Sequence, residues 1–192
     1  MRINDYAKQN NLTCINLHLG CGGENIPGWI NIDNYEYDPK DTSRSGSKYD
    51  IKMDIRNLDV EDGTVDKIML IHTIEHFVRW ETLKLLSHFY NKLKVGGQLI
   101  IEMPDLDKCI EWYLKGKDAK HIDTPLGKLN MGFTQFYGNQ WNEIDFETHR
   151  YVWTKSEINY VLKDIGYSIQ ELHNDKSTHQ KDRDMFILAV KD

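Results

Sequence analysis

Five places in the chain carry residues whose type and spacing could do chemistry. Leu19-Gly20-Cys21-Gly22-Gly23 closes a short apolar run. A glycine turn there lets backbone approach a ligand closely and aims N–H groups at an anion. Asp33 ends a second apolar run, where a carboxylate can take two hydrogen bonds from a ribose diol. Asp54 ends a third, placed to accept from an adenine amine. His72-Thr73-Ile74-Glu75-His76 follows a fourth run and Pro104-Asp105 a fifth. An acid at the end of a strand is also an ordinary turn or capping residue. What distinguishes this chain is the order: glycine loop, acid, acid, then a polar cluster.

The elements that must position these residues can be read from hydrophobic period and breakers. Strands are expected at Ile15 to Leu19, Trp29 to Ile32, Tyr49 to Met53, Val65 to Ile71 and Gln98 to Met103. A helix is expected at about Thr82 to Leu93, with Trp80, Leu83, Leu86, Phe89, Tyr90 and Leu93 at three- and four-residue steps. Gly96-Gly97 breaks the chain before the fifth strand. Asp105 can cap a helix carrying Leu106, Ile110 and Tyr113. From Gly116 to Tyr151 the pattern dissolves into polar and aromatic residues. A last helix starts at Thr154 as a capping box with Glu157, buries Ile158, Val161, Leu162 and Ile165, and ends at Gly166. Two strands, Tyr167 to Leu172 and Met185 to Val190, flank the charged connection HNDKSTHQKDRD.

Alternating strands and helices imply an α/β fold, a doubly wound and mostly parallel sheet with covered faces. The closing hairpin implies an antiparallel last strand. In such sheets ligands sit beyond the carboxyl ends of the strands, where strand order reverses. That rule gathers all five places around one crevice.

Composition limits the function. The 192 residues are 40% hydrophobic and 28% charged, which suits one globular domain. A net charge of −6 argues against an extended nucleic-acid surface. Cys14, Cys21 and Cys109 form no disulfide framework and no CxxC clamp. The opening MRINDYAKQNNL has no apolar signal core and no stretch is long enough to span a bilayer, so a cytoplasmic protein is expected. The oligomeric state is not legible.

The segments LHLGCGGENIPGWINID, KMDIRNLD, IHTIEHF, LKVGGQLIIEMPD and THRYVWTKSEINYVLKDIGY resemble the class I S-adenosylmethionine-dependent methyltransferases. Within that family they are most similar to short members with an LGCG…PGW.N.D opening. The resemblance implies one Rossmann-like domain over 1–192, with an irregular substrate-side insertion at about 116–151. It implies S-adenosylmethionine as cofactor and S-adenosylhomocysteine as product. It assigns Leu19, Gly20, Cys21 and Gly22 to the cofactor loop, Asp33 to the ribose, Asp54 and Ile55 to the adenine, and His72 and Glu75 to the segment closing over the cofactor. One departure is specific: only residues 21–32 separate Gly20 from Asp33, and Pro27-Gly28 opposes a helix. The family's first helix is therefore expected to be shortened or replaced by a loop.

The reaction implied is in-line transfer of a methyl group, in which the protein chiefly positions the reactants. A base is needed only where the acceptor must lose a proton. His76, His149 and Asp105 are the candidates, though each reads more readily as a hydrogen-bonded structural residue than as a base. Phe136, Tyr137 and Trp141 either line an acceptor pocket or pack a long loop. The acceptor is expected to be a small molecule, a sugar or a glycan intermediate. Two other readings stand beside this one: a cofactor-binding regulatory module without turnover, and a zinc hydrolase using the H-x-x-E-H pattern of His72, Glu75 and His76. Some methyltransferases related by this segment hold a divalent cation with glutamate and histidine. A site from His72, Glu75, His76 and His149 is thus conceivable, though no metal is expected.

Overall fold

The computed structural model describes residues 1–34, 49–116, 120–140 and 145–192. Seven strands form one sheet: β1 (Asn16–Leu19), β2 (Ile30–Asp33), β3 (Ile51–Lys52), β4 (Val65–Ile71), β5 (Leu93–Pro104), β8 (Tyr167–His173) and β9 (Asp184–Lys191). Their order is β3-β2-β1-β4-β5-β9-β8. The pairs from β3 to β5 are parallel, and β9 runs antiparallel to both β5 and β8. The antiparallel strand therefore lies one in from the edge. Strand order reverses between β1 and β4, which opens the crevice there.

Helices α2 (Arg79–Lys92), α3 (Leu106–Leu114) and α5 (Lys155–Ile165) join the strands. The α2 stripe is rotated from the expected one: Thr82, Leu85, Leu86 and Phe89 are buried, while Trp80 lies outside under the Lys84 ammonium. In α3 only Cys109 is buried, and Ile110 and Tyr113 are exposed. Asp105 does cap α3, accepting from Asp107 N. Thr154 caps α5, but Glu157 does not reach back; its carboxylate takes Arg79 Nε and the Tyr151 hydroxyl. Gly166 ends α5 at φ 116°.

Two regions depart from the sequence expectation. The polar N-terminus forms α1 (Ile3–Gln9), seated by buried Ile3 and Ala7. One i, i+4 pair is too little apolar signal to mark a helix. The stretch expected to be patternless holds a hairpin, β6 (His121–Thr124) with β7 (Gly127–Asn130), and the single turn α4 (Thr134–Tyr137). Neither hairpin strand buries a residue, so no alternation of polarity marks them.

No helix connects β1 to β2, as the spacing required. A buried Asn31 on β2 organises the loop instead. Its Oδ1 accepts from Ile26 N (2.9 Å), and its Nδ2 reaches the carbonyls of Ile26 (3.3 Å) and Trp29 (3.1 Å) and Asp50 Oδ2 (2.9 Å). His18 Nδ1 lies 3.1 Å from the same Oδ1. One side chain thus supplies partners that a helix would draw from its own backbone. Replacing Asn31 with Ala strands these groups, and we expect a loss of about 2–3 kcal/mol in urea unfolding. An unchanged midpoint would contradict this role.

Candidate functional site

The cleft lies over the carboxyl ends of β1, β2 and β4 and encloses about 680 Å³. That is within the range of small-ligand sites. Its glycine wall is built by close approach. Gly20 sits at φ 67°, and a Cβ there would stand 2.5 Å from the Thr73 methyl. Gly20 N and Cys21 N both donate to Ile32 O, at 2.9 and 3.2 Å. Gly22 N donates to Asp33 Oδ2 at 2.7 Å. The glycine loop and the acid of β2 therefore share one corner.

Of the residues expected at the cofactor, Gly20, Cys21, Gly22, Asp33, Asp54, Ile55 and His72 border the cleft. Leu19 is fully buried beneath the loop and Glu75 beneath the polar cluster, and neither borders it. Burial pushes the Cys21 thiol up to about 12, so it is no nucleophile. Asp54 is held by Arg56: the guanidinium Nε lies 3.0 Å from both carboxylate oxygens, and Arg56 N donates at 2.9 Å. The guanidinium hydrogen bond above all lowers the Asp54 pKa. The pair is exposed enough for a ligand to compete with it.

The acid–base candidates separate. His76 borders the cleft; His149 and Asp105 do not. Asp105 is 1% exposed and is spent on the α3 cap, Asn174 and Lys155. His149 packs edge-on against His76, with ring centroids 5.2 Å apart. Burial above all lowers its pKa, to about 4, so the ring is neutral at neutral pH. Of the aromatics, Phe136 and Phe133 pack on Tyr113 of α3, and neither Phe136 nor Tyr137 borders the cleft. Trp141 lies outside the described residues. Phe146 borders the cleft in their place.

His72 borders the cleft and is also tied to two buried acids behind it. At φ 47° it leaves β4 in a left-handed conformation. Its Nδ1 meets Glu75 Oε1 at 3.1 Å and its Nε2 meets Asp184 Oδ2 at 2.9 Å. Burial pulls its pKa down, but the bonds to Asp184 and Glu75 outweigh burial and raise it to about 10. Ile74–His76 is a single 3-10 turn, so the helix that H-x-x-E-H metallopeptidases require is missing. The zinc hydrolase reading fails on that geometry.

Sequence reasoning missed the β8–β9 connection. Glu102, 2% exposed on β5, accepts from Ser177 Oγ, Thr178 N, Thr178 Oγ1 and His179 N at 2.8–2.9 Å. This folds the connection over the strand ends and brings His179 to the cleft, 4.3 Å from the His72 ring. An acid inside the apolar run LIIEMP was the available signal.

A glycine turn fastened to a strand-end acid, beside an apolar floor at the reversal point of a doubly wound sheet, defines a nucleoside-binding α/β domain. A family model described as a methyltransferase domain matches residues 8–172, and the chain belongs to that family. It is a class I methyltransferase that uses S-adenosylmethionine. No curated protein sequence matches the chain. A protein from Pyrococcus horikoshii is similar in fold, with TM-score 0.60 and 19% identity over 98% of this chain and 87% of its own. A SAM-dependent methyltransferase from Methanosarcina mazei gives 0.59 and 16%, over 97% of each chain. One from Clostridium acetobutylicum gives 0.57 and 16%, over 98% and 89%. At these identities the likeness is one of fold. Among the described residues no helix is long and apolar enough to cross a membrane.

The His72 pairing has a pH signature. Its folded pKa lies above the unfolded value near 6.5, so its contribution is full below that value and is lost as pH rises through about 10. The melting temperature should fall from about pH 7 to about pH 10, and His72→Gln should flatten that fall. An equally steep fall in the variant would contradict the assignment.

Proposed function

We propose that this chain transfers a methyl group from S-adenosylmethionine to a small hydroxyl- or amine-bearing acceptor, such as a sugar or glycan intermediate. The observation that carries the reading is one cleft bordered both by the bonded pair Gly22 and Asp33 and by His76 and Phe146. The residues fit an adenosine. A carboxylate stands at the end of β2, and buried Ile55 with half-buried Met53 offers an apolar wall beside it. Glycine backbone lines the corner between them.

When bound, the sulfonium supplies a methyl group open to in-line displacement. Asp33 orients the ribose while fastening the loop. The amides of Gly20, Cys21 and Gly22 are spent on Ile32 O and Asp33, so the glycine turn contributes close approach of its backbone to the ligand. Ile55 and Met53 flank the adenine. Phe77 and Phe146 exclude water from the acceptor end. His76 is the group placed to engage the acceptor. The acidic net charge of −6 and the acids at the cleft, Glu24, Asp33 and Asp54, favour an acceptor that is not a polyanion.

Calorimetry with S-adenosylhomocysteine tests the reading. Wild-type protein should bind one equivalent, and Asp33→Ala should weaken binding by about 10- to 100-fold, as loss of a charged hydrogen bond does. Asp33→Asn, which keeps an acceptor for Gly22 N, should fall between them. No binding by wild type, or full affinity in Asp33→Ala, would overturn the proposal.

A further inference from the structure

Arg56 borders the cleft beside Ile55, in the 3-10 turn Ile55–Asn57 that follows β3. Asp54 caps that turn by accepting from Arg56 N. The guanidinium folds back onto the same carboxylate. Its Nε lies 3.0 Å from both oxygens, and its Nη2 donates to Oδ2 at 2.6 Å. Its Nη1 lies 3.7 Å from Glu81 Oε1, in the first turn of α2. The backbone amide, Nε and Nη2 thus meet a carboxylate with about four lone-pair sites. Asp54 can therefore keep Arg56 and still accept from an adenine amine.

This pairing fixes the plane of the guanidinium. A fork bonded through both Nε and Nη2 is held in orientation as a point charge is not. Two acids answer its charge, so it is a poor partner for an anionic tail. They also come from different walls of the cleft. Asp54 follows β3, and Glu81 follows the segment of His76 and Phe77 that borders the cleft. The hydrogen-bonding edges of Arg56 are committed to these acids, while the side chain stays 53% exposed. What it offers a ligand is a flat cationic face. Such a face attracts the π-system of an aromatic ring.

We propose that Arg56 is the base clamp of this cleft: its guanidinium, held in plane by Asp54 and Glu81, stacks on the adenine. Glu81 is then a positioning residue, acting through Arg56 without touching the ligand. The inference rests on the adenosine placement proposed above. It divides the recognition of the base in two. Stacking requires a flat aromatic ring but does not read its exocyclic groups, since every base has a π-face. Reading the amine is left to Asp54.

Calorimetry on the full chain tests this with two probes. One is S-adenosylhomocysteine. The other is 5′-methylthioadenosine, which keeps the nucleoside and lacks the amino-acid tail. Arg56→Ala should weaken both by the same factor, about 3- to 30-fold, the range of one cation–π contact. Arg56→Lys keeps a charge for the two acids but has no plane, and should stay closer to Arg56→Ala than to wild type. Glu81→Gln should weaken both probes by a smaller factor, because a half-exposed ion pair contributes little alone. The turn cap uses the backbone amide of residue 56, so these variants should keep the circular dichroism of wild type.

Unchanged affinity in Arg56→Ala would overturn the stack. So would tighter binding, which means that the guanidinium competes with the base for Asp54. A loss confined to S-adenosylhomocysteine would move Arg56 to the amino-acid tail, and full rescue by Arg56→Lys would reduce it to a charge; either result overturns the clamp. Wild-type protein that binds neither probe removes the adenosine placement itself. Wild-type binding of both probes, with Arg56→Ala unaffected, removes the clamp alone.

Discussion

A chain that leaves its first strand with no helix to receive it must satisfy the backbone of residues 20–29 some other way. In this protein β2 does so. Asn31 answers the amide of Ile26 and the carbonyls of Ile26 and Trp29, and Asp33 answers the amide of Gly22. Both side chains project from one four-residue strand whose register sets Leu19 beside Ile32. The loop is thereby fixed to the sheet rather than to itself. The cleft inherits its rigidity from β2, and the acid that closes the loop is also the one placed to meet a ribose.

The opposite wall follows the same logic with charge. Glu75, Glu102 and Asp184 are all buried where the ends of β4, β5 and β9 meet. His72 and Arg183 balance them, and Glu102 is satisfied by four donors from the β8–β9 connection. Acids this deep persist only when paired or fully hydrogen-bonded. The antiparallel β9 is what makes the arrangement reachable, because it returns Asp184 to the end of the sheet where His72 leaves β4.

Much of this was legible because the parallel strands are short, buried and punctuated. Val65–Ile71 reads directly from its apolar run, and the Gly20, Asp33 and Asp54 positions follow from strand ends. The missing first helix follows from the distance between Gly20 and Asp33. Other features carried no local signal. The α2 stripe was misread because Trp80 is large and apolar yet covers no core, while Thr82 is polar yet fully buried. The β6–β7 hairpin lies at the surface on both faces, so burial leaves no period in it. The roles of Asn31 and Glu102 depend on partners distant in sequence, Asp50 for one and residues 177–179 for the other. His72 stands at the cleft where the strand end puts it, but its bond to Asp184 crosses 112 positions and left no local signal.

The central claim is that β2 presents the glycine loop and Asp33 together to a single adenosine. A crystal structure with S-adenosylhomocysteine tests it directly. The account predicts ribose hydroxyls within hydrogen-bonding distance of the Asp33 carboxylate and the adenine against Ile55, with the Gly22–Asp33 bond retained. A nucleoside seated elsewhere, or one that breaks the loop away from Asn31 and Asp33 to enter, would contradict it.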